Sequence, residues 1–143
     1  VVKTVPEMLA EIHAASFETP RPWSATEFAG LLSMKGVFLV AGDGPSFALG
    51  RYVPHEAELL TLAVAPEARG QGLGRKILKA YEKEADRQIA LKSFLEVAAD
   101  NEAAISLYLS EGYSESGRRK NYYIAPDKTK IDALVMEKRI KHT

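Results

Sequence analysis

Ala65-Pro66-Glu67-Ala68-Arg69-Gly70-Gln71-Gly72-Leu73-Gly74-Arg75-Lys76 joins a strand to a helix. Before it, residues 58–65 form a mostly apolar run stopped by Pro66, the pattern of a strand. After it, Leu73, Ile77, Tyr81 and Ala85 recur every fourth residue, which predicts an amphipathic helix over 72–87. Glycines at the alternate positions 70, 72 and 74 leave backbone N–H groups uncovered at the start of that helix. Unpaired donors and the helix dipole favour an anion there. Arg69, Arg75 and Lys76 add charge, so the turn is built to hold phosphate, best a pyrophosphate. Two common phosphate motifs fail. The dinucleotide fingerprint needs a glycine three residues after its second glycine, where this chain has Arg75 or Ile77. The nucleoside-triphosphate loop needs Gly-Lys-Ser/Thr, which is absent. A plain glycine-rich turn is the bland alternative. The strand before it, the Val64-Ala65-Pro66-Glu67 approach and the flanking cations weigh against that reading.

Working outward, residues 6–15 read as a short helix with Met8, Leu9 and Ile12 on one face. Pro20-Arg21-Pro22-Trp23 is a stiff loop. Ser24-Ala25-Thr26-Glu27 is a capping box opening a helix that carries Phe28, Leu31 and Leu32 and ends at Gly36. Residues 37–41 and 47–53 form a hairpin around Gly42-Asp43-Gly44-Pro45. Residues 93–98 return to strand. Residues 101–111 form a helix with Ala104, Ile105, Tyr108 and Leu109 on one side, ended by Gly112. Residues 113–116 and 131–138 pair as closing strands, with a polar, aromatic loop over 121–129. The expectation is one α/β (α+β) domain over 1–143, a mixed, mostly antiparallel sheet flanked by helices on both faces.

Composition narrows the function. With 143 residues and 46% of them hydrophobic, the chain can bury one core without staples. It has no cysteine, which excludes disulfides, thiolate metal ligands and a cysteine nucleophile, and is consistent with a reducing cytoplasm. Its 19 basic and 19 acidic residues balance, which weighs against a nucleic-acid binder. No apolar run is long enough to span a bilayer, and no signal peptide is expected. His13, His55 and His142 have no ligand spacing, so no metal or base role is assigned to them. Whether Val1 is the natural start is left open.

The spacing Arg69-x-x-Gly72-x-Gly74 resembles the acyl-CoA pyrophosphate loop of the GNAT superfamily of N-acetyltransferases. From about residue 56 to 140 the chain resembles one branch of it, the ribosomal-protein-alanine N-acetyltransferases. That likeness rests on Leu62-Ala63-Val64-Ala65-Pro66, Leu95-Glu96-Val97, the run Asn101 to Tyr108, Gly112-Tyr113 and Arg119-Lys120-Asn121-Tyr122-Tyr123. Pro22-Trp23-Ser24 matches the family's N-terminal loop. The resemblance implies a GNAT fold, acetyl-CoA as cosubstrate, no metal, and as acceptor the N-terminal amine of a protein, a ribosomal protein in this branch. It implies that the backbone of Leu62, Ala63 and Val64 pairs with the pantetheine arm. Arg69, Gly70, Gln71, Gly72, Leu73, Gly74 and Arg75 then surround the pyrophosphate, Asn101 contacts the arm, Glu96 is general base and Tyr108 general acid. The extra glycine at 70 and Lys120 before Asn121 depart from the branch's usual pattern, the second on the acceptor side.

The residues themselves leave alternatives. Tyr108 sits on an apolar helix face, where a tyrosine is usually core. Its spacing from Asn101, as in the family, argues for chemistry. Glu96 alternates with Leu95 and Val97 and so faces away from them, as a solvated strand glutamate also does. Glu56 and Glu58 flank the strand entry and are alternative bases. Arg75 and Lys76 also read as solvated helix charges. A small amine or a protein lysine is an alternative acceptor, and a silent acyl-CoA sensor is an alternative of another class.

Overall fold

The computed structural model describes residues 2–17 and 21–140. Val1, Pro20 and His142, singled out above, lie outside them. The chain runs α1 (Val5–Ser16), α2 (Ala25–Leu32), β1 (Val37–Ala41), β2 (Ser46–Val53), β3 (Glu56–Val64), a 3-10 turn (Pro66–Ala68), α3 (Leu73–Arg87), β4 (Lys92–Ala98), α4 (Glu102–Ser110), β5 (Ser114–Ile124) and β6 (Lys130–Arg139). The six strands form one sheet in the order β1-β2-β3-β4-β6-β5. Every neighbouring pair is antiparallel except β3 and β4. Those two run parallel and pair only from Glu56–Leu59 against Lys92–Leu95. Beyond that they part, and the fork they leave organises the site.

Helices cover both faces. Ile77, Leu78, Tyr81 and Ala85 of α3 and Tyr108 of α4 pack on Ala57, Leu59, Leu95, Val97 and Met136. On the other face Leu9 of α1 and Phe28 of α2 pack on Phe47, Leu49 and Ala63. The four-residue period of α3 therefore does what its sequence predicts. Capping boxes start both N-terminal helices, Ser24 with Glu27 as read from sequence and Thr4 with Glu7 in addition.

Irregularities in β3 and β5 depart from the sequence reading. In β3, Leu49 lies opposite Thr61 while Gly50 lies opposite Leu59, so Leu60 is an extra residue. Leu60 and Thr61 consequently both turn to the α1/α2 side, where Leu60 joins that core and Thr61 bonds to α1. In β5 the strand continues through Ile124, so the loop expected over 121–129 shrinks to a short turn. Between Arg119 and Tyr123 the register slips. Asn121 takes a positive φ of 52° there, and its N–H donates to Asp132 Oδ1 at 2.9 Å. An exposed edge strand tolerates polar residues on most positions, which hides it from hydrophobic pattern reading.

Candidate active site

A cavity of about 1080 Å³ occupies the fork. It runs from the glycine turn at the start of α3, between β3 and β4, to Tyr122 and Tyr123 on β5. Leu62, Val64, Arg69, Gly70, Gly72, Leu73, Gly74, Arg75, Glu96, Asn101 and Tyr108 all line it. Two expected residues do not. Ala63 is buried in the α1/α2 core, so only its backbone can serve the fork. Gln71 is exposed outside the lining.

The glycine turn offers backbone donors. Gly72 caps α3 in the left-handed region at φ 75°, with no side-chain cap, and Gly70 is at φ 80°. Among the described residues, no backbone N–H from Gly70 to Arg75 donates to a backbone carbonyl or a side chain. Apart from the chain neighbours, no protein atom lies within 4 Å of where a Cβ would sit at Gly70 or Gly72, so the space there is open. A row of unpaired amides at a helix N-terminus suits a diphosphate. The cations are differently used. Arg69 donates from Nε to the Val64 carbonyl at 3.0 Å and from Nη2 to the Ser16 carbonyl at 3.2 Å, tying the turn to β3 and α1. Arg75 pairs with Glu111 beyond α4. Asn101 caps α4, its Oδ1 accepting from the Ala104 N–H at 3.2 Å.

At the other end the polar groups converge. Leu59 and Leu95 face α3, so by alternation Glu58 and Glu96 share the opposite face. Arg119 donates from Nε to Glu96 Oε1 at 2.7 Å, and Arg51 from Nη2 to Glu58 Oε1 at 3.0 Å. The second oxygen of each carboxylate has no hydrogen-bond partner among the described residues. Burial raises the Glu58 pKa against the pull of Arg51, and the Glu96 charge adds to the rise. Glu56 lies outside the main cavity, paired with Lys92 at 3.4 Å. Tyr108 is buried with its ring against Tyr113 at 5.8 Å, and burial raises its pKa. Burial also pushes Tyr123 up to about 12. The Arg119 guanidinium sits over the Tyr122 ring at 5.5 Å. Sequence reading missed Arg119 as the partner of Glu96, and Thr61 and His13 as lining. Sheet register brings Arg119 to Glu96, and the packing of α1 on β3 brings His13 to Thr61. Among the described residues no cluster of His, Asp or Glu is placed to hold a metal, and no helix is long and apolar enough to cross a membrane.

A forked parallel pair, an amide cradle at its mouth and a carboxylate with a phenol inside it form one cleft. Residues 8–113 match the Acetyltransferase (GNAT) family. The chain belongs to that family. This acetyltransferase is 37% identical over 118 residues to the ribosomal protein bS18-alanine N-acetyltransferase of Escherichia coli K12, covering 80% of this chain and 79% of that one. It is 34% identical over 122 residues to the N-alpha-acetyltransferase RimI of Mycobacterium tuberculosis, covering 80% and 75%. The crystal structure of the ribosomal-protein-S18-alanine N-acetyltransferase from Escherichia coli matches with a TM-score of 0.85 at 31% identity, over 100% of this chain and 92% of that one. The fold recurs in yncA from Salmonella typhimurium, solved with its cofactor acetyl-CoA, at a TM-score of 0.75 and 20% identity, over 96% and 90% of the two chains. The protein is thus an acetyl-CoA-dependent N-acetyltransferase. Its bare amides and open fork fit that cosubstrate: the cradle suits the diphosphate and the β3 edge suits the amide-bearing arm.

Proposed function

We propose that this enzyme acetylates the N-terminal α-amine of a protein, a ribosomal protein beginning with alanine, in the cytoplasm. The observation that carries the reading is the placement of Glu96 and Tyr108 in one cavity with the amide cradle. The names of the relatives support the acceptor class. Bound acetyl-CoA supplies the acyl group as a thioester. Attack by the amine nitrogen on the carbonyl carbon needs a neutral amine and no covalent enzyme intermediate. An α-amine has a pKa near ~8 and a lysine near ~10.4, a gap of roughly 3 kcal/mol in deprotonation. A carboxylate base therefore suits the α-amine better. Glu96 takes the proton from the attacking nitrogen through its unpartnered oxygen, directly or through water. As the C–S bond breaks, Tyr108 gives its proton to the departing sulfur. Burial keeps that phenol protonated until the sulfur carries charge. A backbone N–H on the parted β3 edge faces the developing oxyanion. Glu58 is the rival base, since it lines the same cavity with a raised pKa.

The test is thiol release from acetyl-CoA with two peptides. One begins with a free alanine amine. The other has that amine blocked and carries a free lysine. Release with the first alone is expected. Release with the lysine peptide would move the acceptor to ε-amines, and silence with both alongside acetyl-CoA binding would leave a small amine or a sensor.

A further inference from the structure

His13 was given no role by its spacing, yet it is 1% exposed and lines the cleft. Both ring nitrogens are used. The Trp23 backbone N–H donates to His13 Nδ1 at 3.0 Å. Since Nδ1 accepts, the ring proton lies on Nε2, which is 3.1 Å from Thr61 Oγ1. The Trp23 ring stacks on the imidazole at 4.9 Å and 20°. Phe17, Phe28 and Phe47 close the remaining sides. One side chain on α1 thereby joins the Pro22-Trp23 loop to the β3 bulge. His13, Phe17, Trp23 and Thr61 all line the cavity. They belong to the α1/α2 side of the sheet, the side Glu58 and Glu96 face, while α3 and α4 cover the other.

We propose that His13, as the Nε2–H tautomer, is a positioning residue that fixes the acceptor-side wall of the cleft by holding Trp23 and Thr61 at once. The wall it sets is rigid because both ends of the imidazole are bonded and its faces are packed. Glu27 on α2 is the charged group whose field reaches the ring. Its carboxylate is itself held by Arg21 at 2.8 and 3.0 Å and by the Ser24 N–H. Burial outweighs that field and keeps the imidazole neutral, with its pKa pushed down to about 4. Protonation of Nδ1 would remove the acceptor that the Trp23 N–H requires. The assignment of this wall to the acceptor rests on the function proposed above, whereas the clamp itself does not.

The experiment compares wild type, His13→Phe and Thr61→Val, each confirmed folded by its melting transition. Thr61→Val keeps the core intact should His13→Phe fail to fold. The lost hydrogen bonds are expected to raise KM for the alanine-first peptide by about tenfold in either variant. Acetyl-CoA affinity should stay within about twofold and kcat should change less than KM. Trp23 is the only tryptophan, so its emission reports the clamp and should shift to the red in His13→Phe. Nitrogen-15 NMR of wild type should show a neutral Nε2–H imidazole. Unchanged peptide KM in a folded variant, or equal weakening of acetyl-CoA, would overturn the positioning role. If wild type acetylates no α-amine, the functional reading fails by itself. The emission and NMR signatures then decide the clamp, and a protonated or Nδ1–H ring would sink it.

Discussion

Glu58 and Glu96 stand on the same face of neighbouring strands, each held by one arginine through one oxygen. Only register separates their roles: Glu58 lies where β3 and β4 still pair, opposite Phe94, and Glu96 lies just past the fork. Glu96 is the proposed base. Glu96→Gln is expected to lower turnover by ~10²-fold or more with acetyl-CoA affinity kept. Glu58→Gln should cost far less, and initial rates of thiol release decide between them. Tyr108→Phe removes only the phenol proton, so the fold and cofactor affinity should persist while kcat falls. Unchanged kcat would make Tyr108 a core residue. His13 adds a pH dependence to stability. Its pKa falls from 6.5 to about 4 on folding, so the unfolded chain binds the proton more readily. Its contribution is complete above about pH 6.5 and shrinks as pH falls toward 4, by about 3 kcal/mol in all. Denaturant melts of wild type across that window should lose stability more steeply than His13→Phe. Parallel curves would mean that His13 is not buried neutral.

At the scale of elements, the strand-to-helix turn was legible because it is local. Glycine spacing and the four-residue period of α3 are written in consecutive residues, and they place the turn and the helix where the structure has them. β1 was equally plain, an apolar run between glycines. What depended on partners was hidden. The Leu60 bulge shows in sequence only as Leu59 and Leu60 side by side, a break in alternation that a continuous apolar strand also shows. The length of β5 depends on Asp132 accepting from Asn121 and Arg118 across the pair, at 2.9 and 3.0 Å. Arg69, expected beside the pyrophosphate, also ties carbonyls of β3 and α1 together, which only the folded chain shows. The cradle has a direct test. At Gly72 a valine would meet a left-handed backbone that β-branched residues avoid, and its side chain would enter the proposed phosphate cradle. Gly72→Val should abolish acetyl-CoA binding in calorimetry. Retained affinity would remove the phosphate-loop reading.

Over the whole molecule, one sheet does two jobs because its central parallel pair is unfinished. The helices α3 and α4 close the side that presents the amide cradle, and α1 and α2 close the side that the two carboxylates face. In the proposed reaction, cosubstrate and acceptor meet in the fork from different directions. The most direct measurement is the affinity of a conjugate that joins the CoA sulfur, through an acetyl bridge, to the α-nitrogen of an alanine-first peptide. The account predicts binding ~10²-fold or more tighter than CoA alone, since both halves of the cleft are engaged as in the transition state, and no such gain when the bridge runs to a lysine ε-nitrogen. An α-linked conjugate that binds no tighter than CoA, or a lysine-linked one that binds better, would contradict it.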